Sequence, residues 1–315
     1  MKSLRTNSLM EVNVTEQKHY VVDCFPYFNE KEILELRVNL LKDYVDKFII
    51  VDSNYTHSGS KKEYSANKVI SELNLPSEKI EVIELDMSNE CLPPPNYYDN
   101  YWGATVYPSR ERVQRDAISK CLETNDFFDD TVFIIGDCDE IVDPKYIERY
   151  KQMCLGNPSK AFKVPLVYLQ GRANLRTYFR DNQSVPAPWN MSLYFCSKNH
   201  LEKYSLSAIR AGLHSDFTMA FNDTHNVGWH LSWMGSNQNR LLKSESFCHA
   251  DQKLTQLKHE NYSNQKMKDY MIEYDMSTSE CPSGDDTYVM KEYPCEELPQ
   301  ILFDLPRVKE FLLPE

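Results

Sequence analysis

The chain has 315 residues, 41% hydrophobic and 26% charged, which supports one large core or two modest ones and excludes general disorder. Its formal net charge is -12, from 47 acidic against 35 basic residues, so a nucleic-acid surface built on clustered Lys and Arg is excluded. A negatively charged substrate then needs a local cation, which fits a metal-bridged nucleotide better than a broad basic groove.

Residues 1–17 are polar and read as a flexible leader without the apolar stretch of a signal peptide. No apolar run reaches the roughly 18 residues of a membrane span, so no membrane span is expected. The nine cysteines form no C-x-x-C pair and are odd in number, which points to reduced thiols and a cytoplasmic location. Asn-x-Ser/Thr sequons start at Asn13, Asn54, Asn182, Asn190, Asn222 and Asn261. Glycans at the two beside the expected site would obstruct it, in keeping with a compartment that lacks N-glycosylation.

Residues 20–25 form a short apolar strand, followed by a loop over 26–30. Asn29 can cap the next helix, whose apolar positions are Ile33, Leu34, Leu36, Val38, Leu40 and Leu41. Residues 48–51 make a second buried strand that ends in Asp52, Ser53 and Asn54, residues 61–73 a helix, and residues 80–85 a third strand. Residues 88–107, with Pro93, Pro94, Pro95 and five aromatics, are a loop able to cover a site. A helix over 109–122 carries Arg110, Arg112, Arg115 and Asp116 into a fourth strand over 132–136. This alternation predicts an α/β fold with a central, mostly parallel sheet flanked by helices. Neither a G-x-G-x-x-G nor a P-loop follows any of the strands.

Beyond Pro144 the segments are less regular, with strands near 161–168 and 191–196, an aromatic segment over 226–234, a helix over 237–248 and a terminal segment over 298–313. No internal repeat and no Gly/Ser linker divides the chain. One domain is expected over 18–315, with a nucleotide-binding half at 18–144 and an acceptor half at 145–315.

Asp137 and Asp139 arrive at the carboxyl end of the fourth strand, where open α/β sheets bind ligands. Two hard oxygen donors there suit Mg²⁺ or Mn²⁺ holding a diphosphate. The alternative is that Asp137 caps the next turn and Asp139 pairs with a lysine. Asp52, with Ser53 and Asn54, can accept ribose hydroxyls or a base imide hydrogen, or can simply cap a helix or turn. Asp116 beside Arg115 can meet the base or form a surface salt bridge, and Glu30 is similarly placed. Pro26, in the loop after the first strand, and Cys138, between the two carboxylates, are counted with the donor-binding residues. His230, between Trp229 and Trp233, reads as part of a sugar platform or as a satisfied core residue. Glu245 and His249 share one helix face, as a base and a metal ligand or as an exposed ion pair.

In this order the chain resembles glycosyltransferase family 17. The matching pieces are the run from Asp23 to Glu30 with Glu35-Leu36-Arg37, the run from Val45 to Asn54, the run from Val132 to Ile141, then Gly228-Trp229-His230-Leu231-Ser232-Trp233, and Glu245-Ser246-Phe247-Cys248-His249. The last piece is closer to bacterial or viral members than to the animal enzyme that makes bisecting GlcNAc. The resemblance implies a GT-A fold, a UDP-sugar donor, a divalent metal at Asp137 and Asp139, a glycan acceptor and inversion at the anomeric carbon. On that reading His249 is the third metal ligand, Glu245 the catalytic base with Asp251 in reserve, and His230 and Trp233 shape the sugar pocket. The sugar is GlcNAc or another such as xylose. A sugar nucleotidyltransferase and a carbohydrate-binding protein without catalysis are the rival readings.

Overall fold

The computed structural model describes residues 20–88, 110–189, 193–210, 217–219, 227–234, 239, 242–243, 246 and 288–312. The expected leader over 1–17 and nearly all of the Pro-rich loop over 88–107 lie outside them.

Strands β1 (Val21–Tyr27), β2 (Lys47–Ser53), β3 (Ile80–Leu85) and β4 (Val132–Ile135) run parallel in the spatial order β4-β1-β2-β3. Both faces of this sheet are covered, which is why β1, β2 and β4 read as continuous apolar runs. Val21, Phe25, Phe48, Ile50, Val132 and Ile134 join Ile33, Leu34 and Leu41 of helix α1 (Lys31–Leu41) in one cluster. The alternate residues Val22, Cys24, Ile49, Val51, Phe133 and Ile135 face Ala117, Ile118 and Cys121 in the other.

Local chemistry sets the element ends. Helix α2 (Ala66–Glu72) starts later than the expected 61, because the Asp52 carboxylate accepts the backbone N–H groups of Ser65 and Ala66 and fixes the first turn there. The helix expected over 109–122 is three pieces, α3 (Arg110–Asp116), a 3₁₀ turn at Ala117–Lys120 and α4 (Cys121–Thr124). At the break the Ser119 hydroxyl donates to the Asp116 carbonyl. Pro26, expected in a loop, belongs to β1 opposite Val51. It is tolerated because β4 stops at Ile135, opposite Cys24, leaving that end of β1 paired on one side.

The second half supplies helix α5 (Ile147–Gly156) and strands β5 (Glu140–Val142), β6 (Ala161–Lys163), β7 (Leu166–Gln170), β8 (Leu175–Phe179), β9 (Pro188–Trp189), β10 (Tyr194–Ser197), β11 (Phe217–Met219), β12 (Gly228–Ser232) and β13 (Tyr288–Glu292). β10, β6 and β11 extend the first sheet beyond β4, with β10 antiparallel to both β4 and β6, so that sheet is mixed, with a parallel half. β13, β8, β7, β12 and β5 form a second sheet, and β9 pairs with β7. The single strand expected near 161–168 is therefore two, in different sheets, separated at Pro165, which has no N–H to give a ladder.

Asp137, Cys138 and Asp139 occupy the turn that carries the chain from β4 in the first sheet to β5 in the second. β12 lies against β5 with His230 opposite Glu140, and the approach is close enough that a Cβ at Gly228 would stand 2.2 Å from the Ile141 carbonyl oxygen. Helices α6 (Lys198–Lys203) and α7 (Leu206–Arg210) follow β10, while α8 (Ile301–Asp304) and α9 (Pro306–Leu312) pack on α1 through Leu302 and Val308. Among the described residues no helix is long and apolar enough to cross a membrane, and the six described cysteines are unpaired.

Candidate active site

The floor of the site is a buried ion pair. Arg37, on α1, lies fully buried and grips Asp23 of β1 through two hydrogen bonds of 2.8 and 2.6 Å. Its remaining terminal nitrogen, Nη1, donates to three backbone carbonyls, of Asp137 at 2.7 Å, Cys138 at 3.2 Å and Glu140 at 2.8 Å. A planar fork with five donors can do this, whereas an ammonium cannot. The guanidinium also lies over the Phe25 ring, 4.2 Å from its centroid.

The two carboxylates project from this fixed turn. Asp137 accepts from Arg115 at 2.9 Å on one oxygen and from Arg210 at 2.6 Å on the other. Burial alone would raise its pKa, but the Arg210 and Arg115 charges outweigh that and hold it well below the usual carboxylate range. Asp139 accepts from Lys243 at 2.9 Å, while His230 Nε2 stands 3.5 Å from its other oxygen. Here too the cation, Lys243, overcomes burial and keeps the carboxyl low. Asp139 thus has the lysine partner of the alternative reading. Glu111 completes the cluster, 2.8 Å from Arg115 and 3.8 Å from Arg210.

Glu140, the residue after the pair, is fully buried and accepts from the Asp137 N–H at 2.9 Å and from the Trp189 indole at 2.6 Å. Burial, and then the Asp137 charge, push its pKa up. Trp189 and Tyr168 both lie against His230, at centroid distances of 4.0 and 5.1 Å. His230 is buried, and among the described residues its Nδ1 has no hydrogen-bond partner. Its neighbours place it beside Asp139 within an aromatic wall. Trp233 follows with φ +57°, a left-handed conformation rare for a bulky side chain, and ends β12 beside the Lys243 ammonium, 6.0 Å from the ring centroid.

The other expected donor residues make contacts within the protein. Asp52 is fully buried and accepts from Lys62 at 2.6 Å as well as from the two N–H groups at the start of α2, the helix cap of the alternative reading. Ser53 is buried and donates to the Tyr55 carbonyl, and Asn54 ties Asp86 and the Met87 N–H, which holds the exits of β2 and β3 together. Asp116 accepts from the Ser207 N–H at 2.8 Å, joining α3 to α7. The Glu30 carboxylate turns back onto the Phe28 and Asn29 N–H groups, and the Cys138 side chain enters the core. Arg115 does reach the site, through Asp137. Glu245, His249 and Asp251 lie outside the described residues.

A cleft of about 350 Å³ opens at the carboxyl ends of β1 and β2, lined by Phe28, Asn29, Thr56, Ser60, Lys62 and Leu242 among others. Leu242 and Ser246 of its wall are near Lys243 in the chain, and Lys243 is the partner of Asp139. The donor set suits a hard divalent cation. Asp137 and Asp139 supply carboxylate oxygens, which keep lone pairs beyond their present bonds, and among the described residues the Asp139 oxygen facing His230 has no donor closer than 3.5 Å. Among the described residues no third His, Cys, Asp or Glu joins them in a ligand cluster.

Comparison with known proteins bears on this geometry. No curated protein matches the chain. A solved structure, the mannosyltransferase PcManGT from Pyrobaculum calidifontis in complex with GDP-Man and Mn²⁺, is similar at 9% identity with a TM-score of 0.35, over 81% of this chain and 69% of that one. The model of glycosyltransferase family 17 matches residues 3–277, which span β1 to β12 and the whole of the site, and the chain belongs to that family.

Proposed function

We propose that this glycosyltransferase is inverting and metal-dependent, and moves a sugar, GlcNAc or another such as xylose, from a UDP-sugar to a glycan hydroxyl. The observation that carries the reading is the placement of Asp137 and Asp139 on a turn pinned by Arg37, at the carboxyl edge of the parallel strands. Residues 18–144 form the donor half and 145–315 the acceptor half. Asp137 and Asp139 hold Mn²⁺ or Mg²⁺, with His249 as the third ligand. When bound, the metal neutralises charge that develops on the departing diphosphate. Arg115 and Arg210 orient Asp137, and the aromatic wall at His230, with Trp233, shapes the sugar pocket. The cleft beside Phe28 and Lys62 takes the nucleotide. Glu245, with Asp251 in reserve, removes the acceptor proton on the face opposite the leaving group.

The test is a panel of UDP-sugars with Mn²⁺, read as slow hydrolysis without acceptor, alongside calorimetry of UDP with and without the metal. One sugar should be hydrolysed in preference, and UDP should bind more tightly with Mn²⁺. UDP binding indifferent to metal would overturn the reading.

A further inference from the structure

The three cations around the carboxylates differ in how firmly they are held. Arg115 is paired with Glu111 at 2.8 Å as well as with Asp137. Arg210 meets Asp137 at 2.6 Å and Glu111 at 3.8 Å, and its backbone carbonyl accepts from Lys163. Lys243 is ion-paired, among the described residues, to Asp139 alone, and its side chain is 28% exposed. An ammonium on a four-carbon stem can swing where a forked guanidinium held at two points cannot. Leu242, just before Lys243 in the chain, and Ser246, three residues after it, line the neighbouring cleft.

Resting on the metal-dependent reading above, we infer that Lys243 exchanges partners during donor binding, holding the Asp139 carboxylate in the free enzyme and turning to the donor diphosphate once Asp139 is committed to a divalent cation. Its ammonium is thus an internal competitor for the metal. Mn²⁺ alone must displace it, and a nucleotide alone finds it engaged. When both bind, each releases what the other needs, so metal and nucleotide are coupled.

The experiment is calorimetry on the full chain with Mn²⁺ alone, UDP alone and the two together, supported by electron paramagnetic resonance of free Mn²⁺. Lys243→Met should bind Mn²⁺ alone about fivefold or more tightly than the natural chain, and its metal–nucleotide coupling should shrink by a similar factor. Lys243→Gln serves as a second neutral variant, and Lys243→Arg, which keeps the charge, should stay as weak for Mn²⁺ as the natural chain. Melting by circular dichroism identifies any variant that has lost its fold. Neutral variants that bind Mn²⁺ no more tightly, or that keep the full coupling, overturn the inference. A natural chain in which Mn²⁺ does not assist UDP at all overturns the metal-dependent reading instead.

Discussion

Beneath the Asp137–Asp139 turn, Arg37 and Asp23 are both fully buried, 2.6 Å apart, and each neutralises the other. Above the turn, Arg210 and Lys243 meet the two carboxylates with side chains that remain 20% and 28% exposed. The pairs are alike in chemistry and opposite in consequence. A sealed pair cannot be parted without leaving a bare charge in the core, whereas a pair open to water can change partners at small cost. The site thus rests on a fixed floor and works through an exchangeable rim.

The largest effect should come from breaking the floor. Arg37→Met strands Asp23 and removes the side-chain donor shared by the Asp137, Cys138 and Glu140 carbonyls, and it should cost about 3–5 kcal/mol in urea unfolding. Adding Asp23→Leu should recover part of that loss, because no bare charge remains, while transfer stays impaired because the turn is no longer held. A smaller loss is expected for Gly228→Ala, where the new methyl meets the Ile141 carbonyl oxygen at 2.2 Å and must push β12 from β5. Unfolding should register about 1–3 kcal/mol, and activity should fall as His230 leaves Asp139.

On the rim, Asp139→Asn should cost about 1–2 kcal/mol, because Asp139 is itself buried and Lys243 loses its partner, while reducing transfer by roughly 100-fold or more, measured as sugar transfer beside a melting curve. Acid gives a fourth comparison. Asp137, Asp139 and Glu111 are held below their ordinary pKa despite burial, by Arg210, Lys243 and Arg115. Depressed carboxylates stabilise the fold above their unfolded pKa of about 4, and that contribution disappears as pH falls from there toward their folded values. The melting temperature should therefore drop below about pH 4, and Arg210→Gln should flatten the drop. The smallest change belongs to Arg307→Ala, remote from the site, whose pair with Glu35 is half exposed and worth about 0.5 kcal/mol or less.

What could be read from the residues follows the same division. The parallel strands announced themselves because burial on both faces demands unbroken apolar runs, and β3 emerged over 80–85 as expected. The second sheet was obscure because its strands are short and its partners distant in sequence. Pro165, which parts β6 from β7, was the available signal and was passed over. Asp137 and Asp139 stood out by their place after β4. The floor left a clue that periodicity alone discards. Arg37 falls within the stripe of Ile33, Leu34, Val38 and Leu41, and Asp23 interrupts an otherwise apolar strand. A charge in a buried stripe and an opposite charge in a buried strand ask to be paired. Arg210 and Trp189 reach the site by tertiary packing, with no local pattern to mark them. Asp52 leaves two readings open in the sequence because a strand-end ligand carboxylate and a helix cap share one signature, and its cap contacts appear only in the fold.

Arg37 grips oxygens that every amino acid carries. Its hold on the turn is therefore indifferent to which side chains project from positions 137 and 139, so those two can be rewritten, to a histidine or an asparagine for instance, while the backbone stays moored. The turn offers a mount on which coordination chemistry can be redesigned separately from the architecture that carries it.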